Sequence, residues 1–393
     1  MTSALQIDLE AHEGRFARQE LISWWDQSRL DRAKVLVIGA GALGNEIIKN
    51  LALLGVGNVF VADLDLVENS NLSRSVLFRV EDCGLPKAEV AARSARSIYP
   101  NIRVQPFHGN VVHDLGLGVF GWADVILGGL DNREARVAIN SAAARRGKIW
   151  IDGAIERLDG VARVFDPAVG PCYECTMGAN DWKMLEARRS CALLRREEMQ
   201  DGKVPTTPTT ASLIAALQCQ EAIKLLHGLE VMSGRGFVFE GLNHQSYMVE
   251  YTRKDDCPAH DVDEPVVCVE KSIGSMLAGD MLELVRQELG PTAIVELNHD
   301  LLSALHCAKC DETEPLYASL GKITESRGKC PNCGSHRAPQ TYHAVLGNES
   351  FLDRTLAELG APAWDVLGGR SGVTRRFYEF VGDRPAVLGP LQA

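Results

Sequence analysis

An apolar run followed at once by a glycine-rich turn constrains this chain most. Residues 35–38 (Val-Leu-Val-Ile) suit a buried parallel strand, and Gly39-Ala-Gly41-Ala-Leu-Gly44 follows them. Such a turn leads into a helix whose first N–H groups can hold a phosphate. The turn alone fits an NAD-binding protein equally well, because Asp63, after an apolar run at 59–62, stands where an acid contacts a ribose. The pattern predicts a doubly wound, Rossmann-like α/β domain.

Polar and charged side chains gather after the second apolar run. Asp65, Asn71, Arg74 and Lys87 supply a carboxylate, an amide, a guanidinium and an ammonium. A hydride-transfer site needs few charges beyond its pyrophosphate clamp. These groups suit instead the charge that grows on the α-phosphate of ATP when a carboxylate attacks it and pyrophosphate leaves. Asp131, just after the apolar residues 126–130, stands where a phosphate-bound Mg²⁺ needs a carboxylate. The sequence therefore predicts ATP chemistry with Mg²⁺.

Further stretches follow one another in a fixed order, at residues 44–52, 63–74, 86–92, 152–153 and 171–176. Together they resemble the adenylation domain of ubiquitin-activating enzymes and their ThiF/MoeB relatives. The resemblance covers about residues 14–260, and the residues of these motifs are more similar to the ubiquitin-type enzymes than to the sulfur-carrier ones. The resemblance therefore implies a ThiF-like adenylation domain with a mixed sheet over residues 1–263, and a crossover segment over residues 176–204.

The resemblance also implies roles for single residues. The glycines of the turn and the polar side chains after it would bind ATP and Mg²⁺, with Asp63 on or near the ribose; these residues are Gly39, Gly41, Gly44, Asp63, Asp65, Asn71, Arg74, Lys87 and Asp131. Residues 15–19 are similar to the family's N-terminal signature, in which the second arginine reaches into the ATP site of a partner subunit. Arg18 is then a catalytic finger, beside Arg74 and Lys87, and implies a homodimer. The residues alone also fit Arg15 and Arg18 as solvated neighbours on one helix face.

The crossover segment contains the candidate thioester residue, Cys191. It stands where the family places its catalytic cysteine, and the arginines that flank it favour a thiolate. These arginines are Arg188, Arg189, Arg195 and Arg196. The alternative is a small apolar residue packed beneath a loop, as expected for Cys219 in an apolar helix over residues 211–227. The segment is short beside the catalytic-cysteine domains of eukaryotic ubiquitin-activating enzymes, so Cys191 would reach the adenylate by loop remodelling.

The chain contains 11 cysteines and no secretion signal, which indicates metal ligands and catalysis over disulfides. Cys307-Ala-Lys-Cys310 and Cys330-Pro-Asn-Cys333 have the spacing of a zinc ribbon. The resemblance implies a second structural zinc at Cys172 and Cys175, whose partner pair is expected where Cys257-Pro-Ala-His260 stands. His260 replaces the family's usual cysteine, so this site is either a Cys₃His centre or one that no longer holds metal.

Residues 264–393 are expected to form a smaller α+β domain that carries the zinc ribbon and docks a protein partner. Apolar spacing predicts a helix over 272–289, a helix over 351–359, and strands at 293–297, 341–345 and 376–381. The net charge of −11 provides no basic footprint for nucleic acid. No apolar run approaches membrane-spanning length and the start of the chain does not read as a signal peptide, so we expect a cytoplasmic protein that binds no membrane.

These expectations combine into an ATP-dependent activating enzyme for a ubiquitin-like protein. The enzyme would adenylate the partner's C-terminal tail, form a thioester on Cys191 and pass the acyl group to a conjugating enzyme. One alternative is a sulfur-carrier adenylyltransferase of the ThiF/MoeB type, which stops at the acyl adenylate. A second alternative is a non-catalytic Rossmann-type NAD sensor or scaffold. The presence of Arg74 and Lys87 argues against it.

Overall fold

The computed structural model describes residues 14–183 and 205–392. Cys191 and the four arginines that flank it lie outside the described residues. In the described part, no helix is long and apolar enough to cross a bilayer.

The first sheet contains eight strands in the order β3-β2-β1-β4-β5-β6-β7-β8. Its strands are β1 (Lys34–Ile38), β2 (Asn58–Asp63), β3 (Arg103–His108), β4 (Val125–Gly128), β5 (Trp150–Glu156), β6 (Asp159–Phe165), β7 (Arg235–Glu240) and β8 (Gln245–Glu250). Strands β1 to β5 pair in parallel, and β6, β7 and β8 are added antiparallel. The strand order reverses at β1, between β2 and β4, which is where doubly wound sheets bind ligands. The predicted mixed, Rossmann-like sheet is confirmed.

Helices cover both faces of this sheet. They are α1 (Gln27–Arg32), α2 (Ala42–Leu54), α3 (Lys87–Ile98), α4 (Leu117–Trp122), α5 (Arg133–Arg145) and α6 (Pro208–Leu226). Side chains of a strand alternate between its two faces, and β1 is apolar at every buried position because both faces are covered. Val35 and Val37 pack into a core with α2, α3 and α6, whereas Leu36 and Ile38 pack into a second core with α4 and α5.

The second sheet has six strands, in the order β11-β10-β13-β14-β9, with β12 also paired to β10. The elements of this part are β9 (Val266–Val269), α7 (Ala278–Leu289), β10 (Ile294–Cys307), β11 (Glu312–Ser319), α8 (Glu325–Gly328), β12 (Ala338–Val345), β13 (Val366–Ser371), β14 (Thr374–Phe380) and α9 (Arg384–Leu388). Strand β10 is long enough to pair with β13 near its start and with β11 along its second half. The α+β character expected here is confirmed.

One helix prediction in this part is wrong, and another is confirmed only in its second part. The helix expected over 272–289 begins only at Ala278, and residues 351–359 form turns instead of a helix. Both differences involve the same two segments, which are hydrogen-bonded to each other. The carbonyls of Leu352 and Arg354 accept hydrogen bonds from the N–H groups of Gly279 (2.8 Å) and Ala278 (2.9 Å), which begin α7. These N–H groups have no partner within their own helix, so a distant segment satisfies them and keeps a turn conformation to do so.

The two sheets share a hydrophobic core. Trp364 stands two residues before β13. It is 2% exposed and packs with residues of β1, β2, α4 and α5. The N–H of Gly118 donates to the carbonyl of Trp364 (2.9 Å), and the N–H of Leu117 donates to Asp365 Oδ1 (3.1 Å). Arg146 pairs with Glu379 at 2.8 Å. The segment that leads into β13 of the second sheet therefore contacts α4 directly. The domain boundary between residues 263 and 264 stays a prediction.

Candidate nucleotide site and metal centres

The glycine turn joins β1 to α2 at the sheet's switch point. Gly39 has a φ of +92°, and a Cβ added there would lie 2.5 Å from the carbonyl oxygen of Gly129, beyond the end of β4. A Cβ on Gly44 would lie 1.8 Å from the carbonyl oxygen of Gly39. Both positions therefore require glycine. Gly41 is the N-cap of α2, and a Cβ there would meet no atom within 4 Å, so this side of the turn is open to a phosphate.

Asp63 braces the turn from the end of β2. Its Oδ2 accepts a hydrogen bond from the N–H of Ala40 (2.6 Å), and its Oδ1 accepts one from the N–H of Asp65 (2.7 Å). Burial raises the pKa of Asp63, although these two donors and the nearby Lys87 ammonium act in the opposite direction. The structure thus places Asp63 against the glycine turn, and its contact with a ribose stays a prediction.

Lys87 and Asp65 form an ion pair beside this turn. Lys87 begins α3, and its Nζ lies 2.7 Å from Asp65 Oδ2. The side chain of Lys87 is 10% exposed, whereas that of Asp65 is 53% exposed. The main chain repeats the contact, since the N–H of Lys87 donates to the carbonyl of Asp65. The side chain of Lys87 is therefore mostly buried, and the ion pair holds its ammonium in place.

Asn71, Arg74 and Asp131 have simpler surroundings. Asn71 is buried and its Oδ1 accepts from the N–H of Glu68 (2.9 Å), which closes a short 3₁₀ turn. Arg74 is partly buried, and its Nη1 donates to the carbonyl of Ser70 (2.7 Å). Asp131 is exposed in the loop after β4 and contacts only the neighbouring Asn132 side chain through a hydrogen bond of 3.3 Å among the described residues. An exposed acid at this edge of the sheet suits a metal-bound phosphate.

Two buried polar groups were missed by sequence reasoning. Asn45 follows the last glycine of the turn, and its side-chain amide donates hydrogen bonds to the carbonyls of Ala40 and Gly41. Asp152 is known from the sequence only as part of a motif. Its carboxylate accepts hydrogen bonds from Arg136 Nε and Arg163 Nε, each at 3.0 Å. Arg136 Nη2 in turn donates to the carbonyl of Leu130 (2.6 Å), directly before Asp131. A polar residue on the apolar face of a predicted helix or strand was the signal available in each case.

The two N-terminal arginines differ in their surroundings. Residues 15–21 form turns, and the guanidinium of Arg15 donates to the carbonyl of Ile98 and lies 5.1 Å from the ring centroid of Tyr99. Arg18 is exposed, and within residues 14–183 and 205–392 it donates no hydrogen bond. Arg15 therefore anchors this segment to the end of α3, and Arg18 keeps a cation available for other contacts.

The first metal centre joins residues far apart in sequence. Cys172, Cys175, Cys257 and His260 bring their ligand atoms within 4.8 Å of one another. The Sγ atoms of Cys172 and Cys175 are 3.8 Å apart, and Cys175 Sγ lies 3.2 Å from His260 Nε2. Ligand atoms about 2.0–2.3 Å from a tetrahedral Zn²⁺ have separations of this size. The structure thus groups His260 with the three cysteines, and the donor set fits Zn²⁺.

Two features suit Cys175 and His260 to metal binding, whereas burial raises the pKa of Cys172 and that of Cys257. Burial alone would raise the pKa of Cys175, but the N–H of Lys254, 3.4 Å from its Sγ, and further donors lower that pKa overall. Burial lowers the pKa of His260, which keeps its imidazole neutral. Thiolate and neutral imidazole are the forms that ligate zinc.

The second metal centre lies at the end of the β10–β11 hairpin. Cys307 and Cys310 flank the turn, and Cys330 and Cys333 come from the loop before β12. Cys307 Sγ lies 3.6 Å from Cys333 Sγ, and Cys330 Sγ lies 3.9 Å from Cys310 Sγ. The four sulfurs have the arrangement expected of a zinc ribbon, with a donor set that fits Zn²⁺.

Residues 15–259 match the profile of the ThiF family, a span that includes the glycine turn, the ion pair and the three cysteines grouped with His260. The chain belongs to the ThiF family. The match ends before β9, so the second sheet and the cysteines of the predicted zinc ribbon lie outside the matched span.

Named relatives of this ThiF domain are adenylyltransferases and activating enzymes. The SAMP-activating enzyme E1 of Haloferax volcanii is 33% identical over 269 residues, covering 65% of this chain and 88% of that protein. The sulfur carrier protein adenylyltransferase of Thermus thermophilus is 33% identical over 245 residues, covering 61% and 86%. The NEDD8-activating enzyme E1 catalytic subunit of Arabidopsis thaliana is 41% identical over 160 residues, covering 37% and 35%. The expectation of an adenylyltransferase is confirmed.

A solved structure supports the fold assignment. The crystal structure of E. coli MccB with ATP has a TM-score of 0.54 and 22% identity, and the match covers 64% of this chain and 75% of that one. At this identity the similarity shows a shared fold.

Proposed function

We propose that this ThiF-family enzyme uses ATP to adenylate the C-terminal carboxylate of a ubiquitin-like or sulfur-carrier protein. The observation that carries the proposal is the mostly buried Lys87 ammonium, held by Asp65 beside a glycine turn that Asp63 braces. A positive charge in a protected site is worth more than one in water, because water cannot screen it as strongly. The names of the relatives from Haloferax and Thermus support the kind of protein substrate.

The reaction needs an in-line displacement at phosphorus. A carboxylate oxygen of the protein substrate attacks the α-phosphorus of ATP, and the bond to the bridging oxygen of pyrophosphate breaks. Lys87 and Arg74 neutralise the negative charge that develops, and the open N-terminus of α2 receives a phosphate. Mg²⁺ held by Asp131 would neutralise the leaving pyrophosphate.

A second step forms the thioester. The Cys191 thiolate attacks the carbonyl carbon of the acyl adenylate and AMP leaves, after which a conjugating enzyme takes the acyl group. Cys191 lies outside the described residues, so this step rests on its place in the sequence and on its flanking arginines. Arg18 of a second subunit would complete the ATP site, and the second sheet with its zinc ribbon would dock the conjugating enzyme or the protein substrate.

A sulfur-carrier adenylyltransferase remains the second candidate. The Thermus relative, of which this chain covers 86%, favours it. The two candidates share the adenylation step and differ only in the thioester. NAD binding without ATP binding would support the third candidate, a non-catalytic sensor.

Pyrophosphate exchange tests the shared step. The purified protein is mixed with labelled pyrophosphate, ATP, Mg²⁺ and a candidate partner that has a flexible C-terminal tail. We expect label to enter ATP only when the partner has a free C-terminal carboxylate; the same partner with an amidated C-terminus is the control. Exchange that ignores the amidation contradicts the proposal. A partner conjugate that thiols release separates activation with a thioester from adenylation alone.

A further inference from the structure

Asn45 lies in the first turn of α2, directly after the last glycine of the turn, and its residue is fully buried. Its Nδ2 donates to the carbonyl oxygens of Ala40 (2.6 Å) and Gly41 (3.1 Å). Its Oδ1 accepts from the N–H of Leu77 (2.8 Å). A single carboxamide therefore joins the glycine turn to the segment that follows Arg74.

The bonds to the two carbonyls determine where the N–H groups of the turn point. In a trans peptide the C=O and the N–H point in opposite directions. The Ala40 carbonyl shares its peptide with the N–H of Gly41, and the Gly41 carbonyl shares its peptide with the N–H of Ala42. Asn45 holds both oxygens on its own side with its amide, and its main-chain N–H also bonds the Gly41 oxygen (2.8 Å), so both N–H groups face the other side. Neither N–H donates a hydrogen bond to a described residue.

The third bond fixes the other side of the site. Leu77 is 4% exposed, and its carbonyl accepts from Ser94 Oγ (2.7 Å) while its N–H is held by Asn45. Leu77 stands three residues after Arg74, whose own N–H donates to the carbonyl of Asn71. The main chain that carries Arg74 is therefore tied at one end to the glycine turn.

The neighbours of Asn45 on α2 give no reason for an amide at this position. Ile47, Ile48 and Leu51 are fully or almost fully buried on the same helix, and asparagine is a poorer helix former than alanine or leucine. A buried amide without partners would be costly, and Asn45 has three. What this residue adds is the link between the turn and the Leu77 segment.

We propose that Asn45 is a positioning residue for the phosphates of the nucleotide. It directs the N–H groups of Gly41 and Ala42 towards one phosphate. It also fixes the position of the Arg74 segment relative to these N–H groups. This inference rests on the proposed ATP site, and it concerns the triphosphate alone, since Asn45 touches nothing that would hold the adenosine.

The test compares two ligands in the full-length protein by titration calorimetry: ATP with Mg²⁺, and adenosine. Asn45→Ala is expected to raise the Kd for ATP about tenfold, the size of effect that follows from losing oriented hydrogen bonds to a charged group. The Kd for adenosine is expected to stay within about twofold, because general damage to the fold would weaken both ligands and loss of phosphate positioning weakens one. Asn45→Leu fills the same space without donors and should behave alike.

Asn58 provides a matched control. It is 4% exposed, its Nδ2 donates to the Ala33 carbonyl (3.1 Å) and its Oδ1 accepts from Arg103 Nε (2.8 Å). It begins β2, at the opposite edge of the sheet from the glycine turn. Asn58→Ala should lower the melting temperature and leave both Kd values unchanged.

Two further outcomes separate the hypotheses. Wild-type protein that binds ATP no more tightly than adenosine contradicts the ATP site itself, and the role of Asn45 with it. Asn45 variants that bind ATP as tightly as wild type, or that weaken ATP and adenosine equally, overturn the role of Asn45 alone. If neither variant folds, hydrogen exchange in the wild type decides: ATP, but not adenosine, should slow exchange in residues 39–45 and 74–78 together, and protection of only one segment overturns the inference.

Discussion

The ammonium of Lys87 lies 2.7 Å from Asp65 Oδ2, with the lysine mostly buried and the aspartate mostly exposed. The exposed partner is therefore free to exchange its contact, while the buried partner keeps its position. A phosphate entering beside the glycine turn can take the place of Asp65 without moving the ammonium far.

Lys87→Ala should lower the rate of pyrophosphate exchange by about 10²–10³-fold, because it removes a positioned charge from the transition state. Lys271→Ala is the control, since Lys271 lies 3.3 Å from Asp280 in an exposed ion pair of the second sheet's helix α7. Exchange assays on both variants measure the contrast. Equal rates for Lys87→Ala and wild type would exclude Lys87 from the reaction.

Cys191→Ser should abolish the thiol-labile conjugate and spare pyrophosphate exchange, because the thiol acts only after the adenylate has formed. Cys83→Ser, at an exposed cysteine, is the control and should keep both activities. Gel electrophoresis with and without reducing agent follows the conjugate. A conjugate that persists in Cys191→Ser rules out this residue, and the absence of any conjugate in wild type favours the sulfur-carrier candidate.

The arrangement of ligand atoms predicts zinc at both centres, hence two ions per chain. His260→Ala and Cys310→Ser should each remove one ion, whereas His260→Cys should keep both because a thiolate replaces the imidazole. Metal analysis of the purified variants measures the stoichiometry. Chelation should also lower the melting temperature, since the first centre ties the loop after β6 to the segment after β8. A wild-type content of one zinc per chain would leave His260 without its assigned role.

Gly118→Ala should destabilise the protein by about 1–3 kcal/mol, although alanine is the better helix former, because the added Cβ would lie 2.4 Å from the Trp364 ring. Gly274→Ala is the matched glycine control, since its nearest neighbour would be 3.9 Å away. Urea unfolding of the two variants provides the comparison. An unchanged midpoint for Gly118→Ala would mean that the two sheets do not pack through this contact in solution.

A mixture of two inactive variants tests Arg18. If Arg18 acts across a homodimer interface, Arg18→Ala and Lys87→Ala should each lose pyrophosphate exchange, and co-refolded mixtures should recover part of it. In a mixed dimer, one site then has its own Lys87 and the partner's intact arginine. A mixture as inactive as its components indicates that Arg18 acts within its own chain or not at all.

The local features of the chain were predictable from sequence. The glycine turn, the buried parallel strand before it and the CxxC spacing of the ribbon depend on neighbouring residues, and backbone sterics and ligand spacing act over that range. The apolar helix before His227 is of the same kind. Gly39 illustrates the reason: its φ of +92° is a backbone conformation that glycine adopts readily and other residues rarely do.

Contacts between distant segments were decided only by the tertiary structure. The apolar spacing of residues 351–359 is the same for a helix and for these turns, and the choice depended on N–H groups at the start of α7 that needed acceptors. His260 joined its cysteines, and Asn45 reached Leu77, because the folded sheet brought separate loops within hydrogen-bond or ligand distance. A sequence records which groups need partners, whereas only the assembled core determines which partners are near enough to serve.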